Sequence, residues 1–131
     1  MSRLPLRYRL AWIASIWLLV VLIVTGSLVP DLGPLSIAGS DKYEHFTAYF
    51  TLSLLCSAVV TADRLLWVMA AVLILGMSLE AAQALLTVTR TGDWADVLAN
   101  ASGILAAWLL VRRRAGWALA VEAWLAGLRR H

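Results

Sequence analysis

The sequence predicts an all-α polytopic membrane protein: a four-transmembrane-helix bundle with both termini cytoplasmic, plus a short C-terminal interfacial helix. Three observations carry this. The 131 residues are 62% hydrophobic and only 15% charged, with a mean hydropathy of +0.82. A soluble domain of this size stays near half apolar and about a quarter charged. Four apolar segments, 10–29, 43–61, 65–86 and 94–111, each approach the roughly 20 residues a helix needs to cross a bilayer. The basic residues fall almost entirely on one side of those segments.

The first segment, Leu10–Val29, follows Arg3, Arg7 and Arg9. A cleaved signal peptide is the rival reading. The stretch is long for such a core, and three more spans follow it, so an uncleaved helix is expected. Tyr43–Thr61, Leu65–Leu86 and Trp94–Val111 come next, joined by short links that suit an up-and-down bundle. Residues 1–114 form one membrane domain. Residues 115–131 form a tail in which Trp117, Val121, Trp124, Leu125 and Leu128 recur at helical spacing, as in a helix lying at headgroup level.

Orientation follows from charge. Arg3, Arg7, Arg9, Arg64, Arg112, Arg113, Arg114, Arg129 and Arg130 share one side, and only Lys42 and Arg90 take the other. By the positive-inside rule the arginine-rich side is cytoplasmic. Asp31, Asp41, Glu44, Glu80, Asp93 and Asp96 lie outward. The net charge of +3 therefore reflects topology, and no nucleic-acid partner is expected. The single cysteine, Cys56, sits in an apolar run and excludes a disulfide framework.

The polar residues converge at one depth. Asp41, His45 and Tyr49 recur every fourth residue on the second helix. Glu80 and Gln83 lie one turn apart near the end of the third. Asp93, Asp96, Asn100 and Gly103 form a stripe on the fourth. At 1.5 Å per residue everything from Asp41 to Asn100 falls within roughly 10 to 12 Å of the outer surface. Ionisable groups facing lipid are costly, so each face is expected to turn inward and line an outward-facing polar pocket. The inner halves carry no charge, which argues against a channel or a proton path.

Several of these residues have ordinary explanations. Asp41 with Glu44, and Asp93 with Asp96, match helix-capping patterns. Arg90 suits an ion pair with Asp93, Asn100 suits a bridge between helices, and Gly103 with Ala107 makes a small-xxx-small contact face. His45, Glu80 and Asp96 fit such accounts less well. Glu80 is the deepest carboxylate and starts no helix, so it must be neutral, paired or hydrated, and His45 is its natural partner. These three are the candidate acid–base residues. They would also make a one-histidine, two-carboxylate set, but no HExxH-like local motif accompanies it, and neither metal nor cofactor is expected.

In chain order the blocks read "DKYEHFTAY", "EAAQ" and "RTGDWADVLANASG". They resemble the VanZ-like family of small bacterial integral membrane proteins. The resemblance runs from about Leu10 to Val111 and does not cover the tail. Its matched positions are Asp41, Lys42, His45, Tyr49, Glu80, Gln83, Arg90, Asp93, Asp96, Asn100 and Gly103. Ala107 departs from it, since such proteins often carry a second glycine there. The resemblance implies an envelope role and a link to teicoplanin-type glycopeptide resistance. It implies no particular reaction.

Three functions follow as expectations. The first is binding or modification of an envelope amphiphile, a membrane lipid or lipid-linked cell-wall component, with Asp41, Lys42, His45, Tyr49, Glu80, Gln83, Arg90, Asp93, Asp96 and Asn100 lining the site. Lys42 and Arg90 would hold a phosphate or carboxylate. The second is an intramembrane hydrolase or transferase with a water nucleophile, Glu80 or Asp96 acting with His45. Ser40 and Cys56 are poorly placed as nucleophiles. The third is a structural or assembly module. Four spans are few to enclose a pocket, which keeps a homodimer open.

Overall fold

The computed structural model describes residues 4–28, 40–86 and 93–128. These form five helices and no strand: α1 Arg9–Leu28, α2 Ser40–Ala58, α3 Leu65–Leu86, α4 Trp94–Val111 and α5 Ala118–Leu128, with a 3-10 turn at Ala62–Arg64. Arg3, Asp31, Arg90, Arg129 and Arg130 lie outside the described residues.

The bounds of α3 and α4 match the apolar segments, and α1 differs by one residue at each end. The second helix departs most. It runs three residues earlier than expected, because the backbone at Thr61 is extended and the chain has already turned after Ala58. Its start at Ser40 places Asp41 inside the first turn instead of at the cap.

Three helical stretches are long and apolar enough to cross a membrane: Arg9–Leu28, Ala62–Leu85 and Trp94–Val111. The second helix is not among them. At 19 residues it has the length, but its sequence SDKYEHFTAYFTLSLLCSA carries three charges, a histidine and five hydroxyl residues of the Ser/Thr type.

That helix is nevertheless the one most embraced by the others. It packs chiefly along α4 and also touches α3 and α1, while α1 lies against α2 and α3. The cause is visible at Gly103. A methyl group there would press on the backbone carbonyl of Phe46 and lie 3.0 Å from the amide nitrogen of Phe50. The missing side chain lets the α2 and α4 backbones touch, as small residues do in membrane bundles. Ala107, one turn on, is fully buried.

The distribution of polarity is inverted relative to a water-soluble fold. Trp17, Leu22, Trp67, Ile74, Leu105 and Leu110 are exposed, whereas Ser53, Ser57, Glu80, Gln83, Asp96 and Asn100 are buried. Monomeric soluble proteins rarely leave apolar surface this extensive. A bilayer would cover it.

The helices alternate in direction. Side-chain contacts join the end of α1, the start of α2, the end of α3 and the start of α4 at one pole. At the other pole the N-terminal segment meets α5. The Glu122 carboxylate accepts from the Arg7 amide at 2.7 Å, the Tyr8 amide at 2.9 Å and the Trp12 indole at 3.0 Å. A carboxylate is well placed there, since the first amides of a helix have no partners within it. Gly116 adopts φ 76°, a left-handed turn that suits glycine. Its amide donates to the Ser57 carbonyl at 2.8 Å, and the Trp117 indole donates to Ser57 Oγ at 3.1 Å. The tail is therefore bolted to the bundle, a docking that the spacing of its apolar residues did not foretell.

Candidate functional site

Helix starts and ends place the polar side chains. Asp93 caps α4 by accepting from the Ala95 amide at 2.9 Å, which fixes the first turn and sets Asp96 facing α2. Lys42 reaches across from α2 and pairs with both acids, 3.0 Å from Asp93 Oδ2 and 3.0 Å from Asp96 Oδ1. The Ala95 amide and then the Lys42 ammonium hold the Asp93 carboxyl below its ordinary range. A lysine so engaged is a poor clamp for a ligand's phosphate, the role that composition alone assigned to it.

One turn deeper sits His45, with polar groups at both ring nitrogens. Nδ1 lies 3.0 Å from Asn100 Oδ1 and 3.6 Å from Glu80 Oε1. Nε2 lies 3.6 Å from Asp41 Oδ1 and 4.0 Å from Asp96 Oδ2. Four residues from three helices thus surround one imidazole. The fourfold spacing of Asp41, His45 and Tyr49 brings this about, because it puts them on the face of α2 that meets the α4 stripe.

Two buried polar atoms of this cluster have no hydrogen-bond partner among the described residues: Glu80 Oε2 and Asn100 Nδ2. Glu80 keeps only 6% of its surface exposed and Asn100 1%. Buried polar groups are normally satisfied, so orphans of this kind need an explanation in a site.

Beside the cluster, between α1 and α2, lies a cavity of about 270 Å³. The α1 wall is mainly apolar, with Leu19, Leu22, Ile23 and Gly26 beside Ser27. The α2 wall is mainly polar, with Asp41, Glu44, His45 and Tyr49 beside Ala48. Lys42 is not in its lining.

The expected site residues thus divide. Asp41, His45 and Tyr49 line the cavity, and Glu80, Asp96 and Asn100 stand behind His45. Asp93 and Lys42 form the ion-paired cap of α4. Gln83 donates to the carbonyl of Ser27, itself in the cavity lining, at 2.7 Å and ties α3 to the end of α1. Gly103 and Ala107 are contact positions. Glu44 and Gly26 line the cavity although sequence reasoning read Glu44 only as a capping partner and passed over Gly26. Gly76 was also missed. A methyl group there would lie 3.0 Å from the Tyr49 ring and 3.2 Å from Asn100 Nδ2, so its bareness makes room for the cluster. Its place one turn before Glu80 was the available signal.

No family model, curated protein or solved structure matches this chain.

Proposed function

We propose that this chain is a VanZ-like protein of the bacterial inner membrane whose outward-facing pocket binds or modifies an envelope amphiphile. In this reading α2 is the fourth span, sheltered by α1, α3 and α4, and both termini are cytoplasmic. Arg7, Arg9, Arg64 and Arg112–Arg114 all belong to the pole where the N-terminal segment meets α5, which supports that orientation. A tail that meets that pole belongs at the cytoplasmic surface.

One observation carries the functional reading. The cavity between α1 and α2 is mainly apolar on one wall and mainly polar on the other. An acyl or prenyl chain suits Leu19, Leu22 and Ile23, and a headgroup suits Asp41, Glu44, His45 and Tyr49. Two carboxylates in the polar wall favour a head that donates hydrogen bonds, such as a sugar, an amide or an amine, over a bare phosphate. Lipid-linked cell-wall intermediates and lipoglycopeptides such as teicoplanin have such heads.

Chemistry is the second reading, favoured by the contacts of His45 with Glu80 and Asp96. A water activated by that pair would attack a headgroup bond.

The test uses Gly26→Leu. Gly26 lines the cavity, and nothing lies within 4 Å of a methyl group placed there, so the position has room for the first atom of a larger side chain. Purified protein in detergent is titrated with a polyprenyl-phosphate-linked sugar, teicoplanin, phosphatidylethanolamine and phosphatidylglycerol. The expected result is a thermal shift with at least one sugar- or amine-headed amphiphile, lost in Gly26→Leu. Equal shifts in both proteins would refute the cavity as the binding site.

A further inference from the structure

We infer that Asp41, His45 and Asp96 form a binding site for a divalent transition-metal cation of the zinc type, at the headgroup end of the cavity. Asp41 Oδ1, His45 Nε2 and Asp96 Oδ2 each offer one ligand atom, and all three atoms lie within 4.8 Å of one another. Zinc bonds to nitrogen and oxygen of about 2.0–2.2 Å put tetrahedral ligands roughly 3.4 Å apart. The 3.6 Å and 4.0 Å separations from His45 Nε2 come near that value. Asp41, half exposed at the helix start, has the freedom to close the remainder.

The surroundings are those a metal ligand needs. Asn100 Oδ1 can only accept, so its 3.0 Å contact requires the proton on His45 Nδ1. Nε2 faces two carboxylate oxygens, Asp41 Oδ1 at 3.6 Å and Asp96 Oδ2 at 4.0 Å. A cation among these three atoms would be held by one nitrogen and two anionic oxygens. A histidine that gives its other N–H to an oxygen partner is the usual metal-bound form. Lys42 holds Asp96 by Oδ1 alone and leaves Oδ2 for the ion.

The independent pointer is Glu80. It comes from another helix, is more than nine-tenths buried and brings Oε1 to 3.6 Å from the same imidazole, while Oε2 has no partner among the described residues. A buried, incompletely paired carboxylate beside the imidazole supplies negative charge that a cation at the site would balance, while Asn100 orients the ring through its hydrogen bond. One imidazole and two carboxylates suit zinc or manganese better than calcium or a thiolate-seeking ion. Three protein ligands leave a fourth position toward the cavity, the arrangement of catalytic rather than structural zinc.

The test uses the full chain in detergent, stripped with EDTA and titrated with Zn²⁺ alone. Expected are about one zinc per chain and a rise in the unfolding midpoint on the order of 10 °C at a hundredfold excess over Kd. Co²⁺ should give visible d–d absorption. Asp96→Asn and His45→Ala should abolish both signals. Asp41→Asn, whose exposed side chain is not needed for folding, should weaken affinity at least about tenfold, and Asp63→Asn at the opposite pole should leave it unchanged. Zinc content well below one per chain, or wild-type affinity in Asp41→Asn, would overturn the inference. Because no amphiphile is present, that failure is separable from failure of the cavity reading.

Discussion

The contact between α2 and α4 at Gly103 gives the sharpest stability test. An alanine there brings its methyl group against the Phe46 carbonyl and to 3.0 Å from the Phe50 amide nitrogen. Both are backbone atoms, which cannot rotate aside as a side-chain tip can. The helices must part by several tenths of an ångström or more, in the region that holds His45 3.0 Å from Asn100. Overpacking of a well-packed contact costs about 1–3 kcal/mol, and rigid backbone on one side puts this case at the upper end. The helix-propensity gain of alanine over glycine returns up to about 1 kcal/mol. The net loss is about 2 kcal/mol, or a fall of roughly 6–8 °C in Tm for a chain of this size. Gly26→Ala is the internal control. It has open space around the new methyl group and should be neutral or gain up to about 1 kcal/mol. Thermal unfolding of both variants in one detergent makes the comparison. If Gly103→Ala melts no lower than Gly26→Ala, the α2–α4 backbone contact is not what the packing says it is.

Other outcomes follow from the opposite pole and the cap. Burial opposes the charge on Glu122, but the amides of Tyr8 and Arg7 and the Trp12 indole outweigh it and hold the carboxyl below its usual 4.5. A lowered folded value means that this docking is fully present above about pH 4.5 and is lost as pH falls through the folded value. Hydrogen exchange at the Arg7 and Tyr8 amides, corrected for intrinsic rate, should show protection at neutral pH that disappears in acid. Glu122→Gln should show weaker protection with no such pH dependence. Trp117→Phe keeps the ring and removes the indole donor to Ser57, which should cost about 1 kcal/mol, measured by chemical unfolding. Asp93→Ala should lower stability more than Asp93→Asn, since asparagine can still cap the Ala95 amide, and salt should narrow the gap between wild type and Asp93→Asn by screening the Lys42 pair.

Much of this was legible in the chain. Long apolar runs set the helix bounds of α3 and α4, because neither run contains a proline and their few polar residues keep helical spacing. The fourfold spacing on α2 and the stripe on α4 were enough to set His45, Asp96 and Asn100 at one depth, since helical periodicity fixes faces, but the pairs His45–Asn100 and Lys42–Asp96 were not read from it. Contacts over long separations were harder. Which ring nitrogen of His45 meets which acid depends on how far α2 slides along α4, and that offset is set by bare backbone at Gly103 and Gly76, not by any pattern. Gln83 was read as a pocket residue from its spacing to Glu80, and its bond to the Ser27 carbonyl joins α3 to α1, a partner that no spacing marks. Glu122 looked like one polar residue on a surface wheel. Its three donors lie more than a hundred positions away, and no local signal marks them.

The most direct measurement is the unfolding midpoint of Glu80→Gln against wild type, in detergent and without ligand. In the proposed reading Glu80 is kept for a ligand: one of its oxygens has no partner among the described residues, and its imidazole neighbour is at 3.6 Å. The account predicts a change within about 1 kcal/mol in either direction, a few degrees at most. If the cluster is instead scaffold, removing one partner of a buried ion pair costs about 3–5 kcal/mol, and a fall of ten degrees or more would contradict the account.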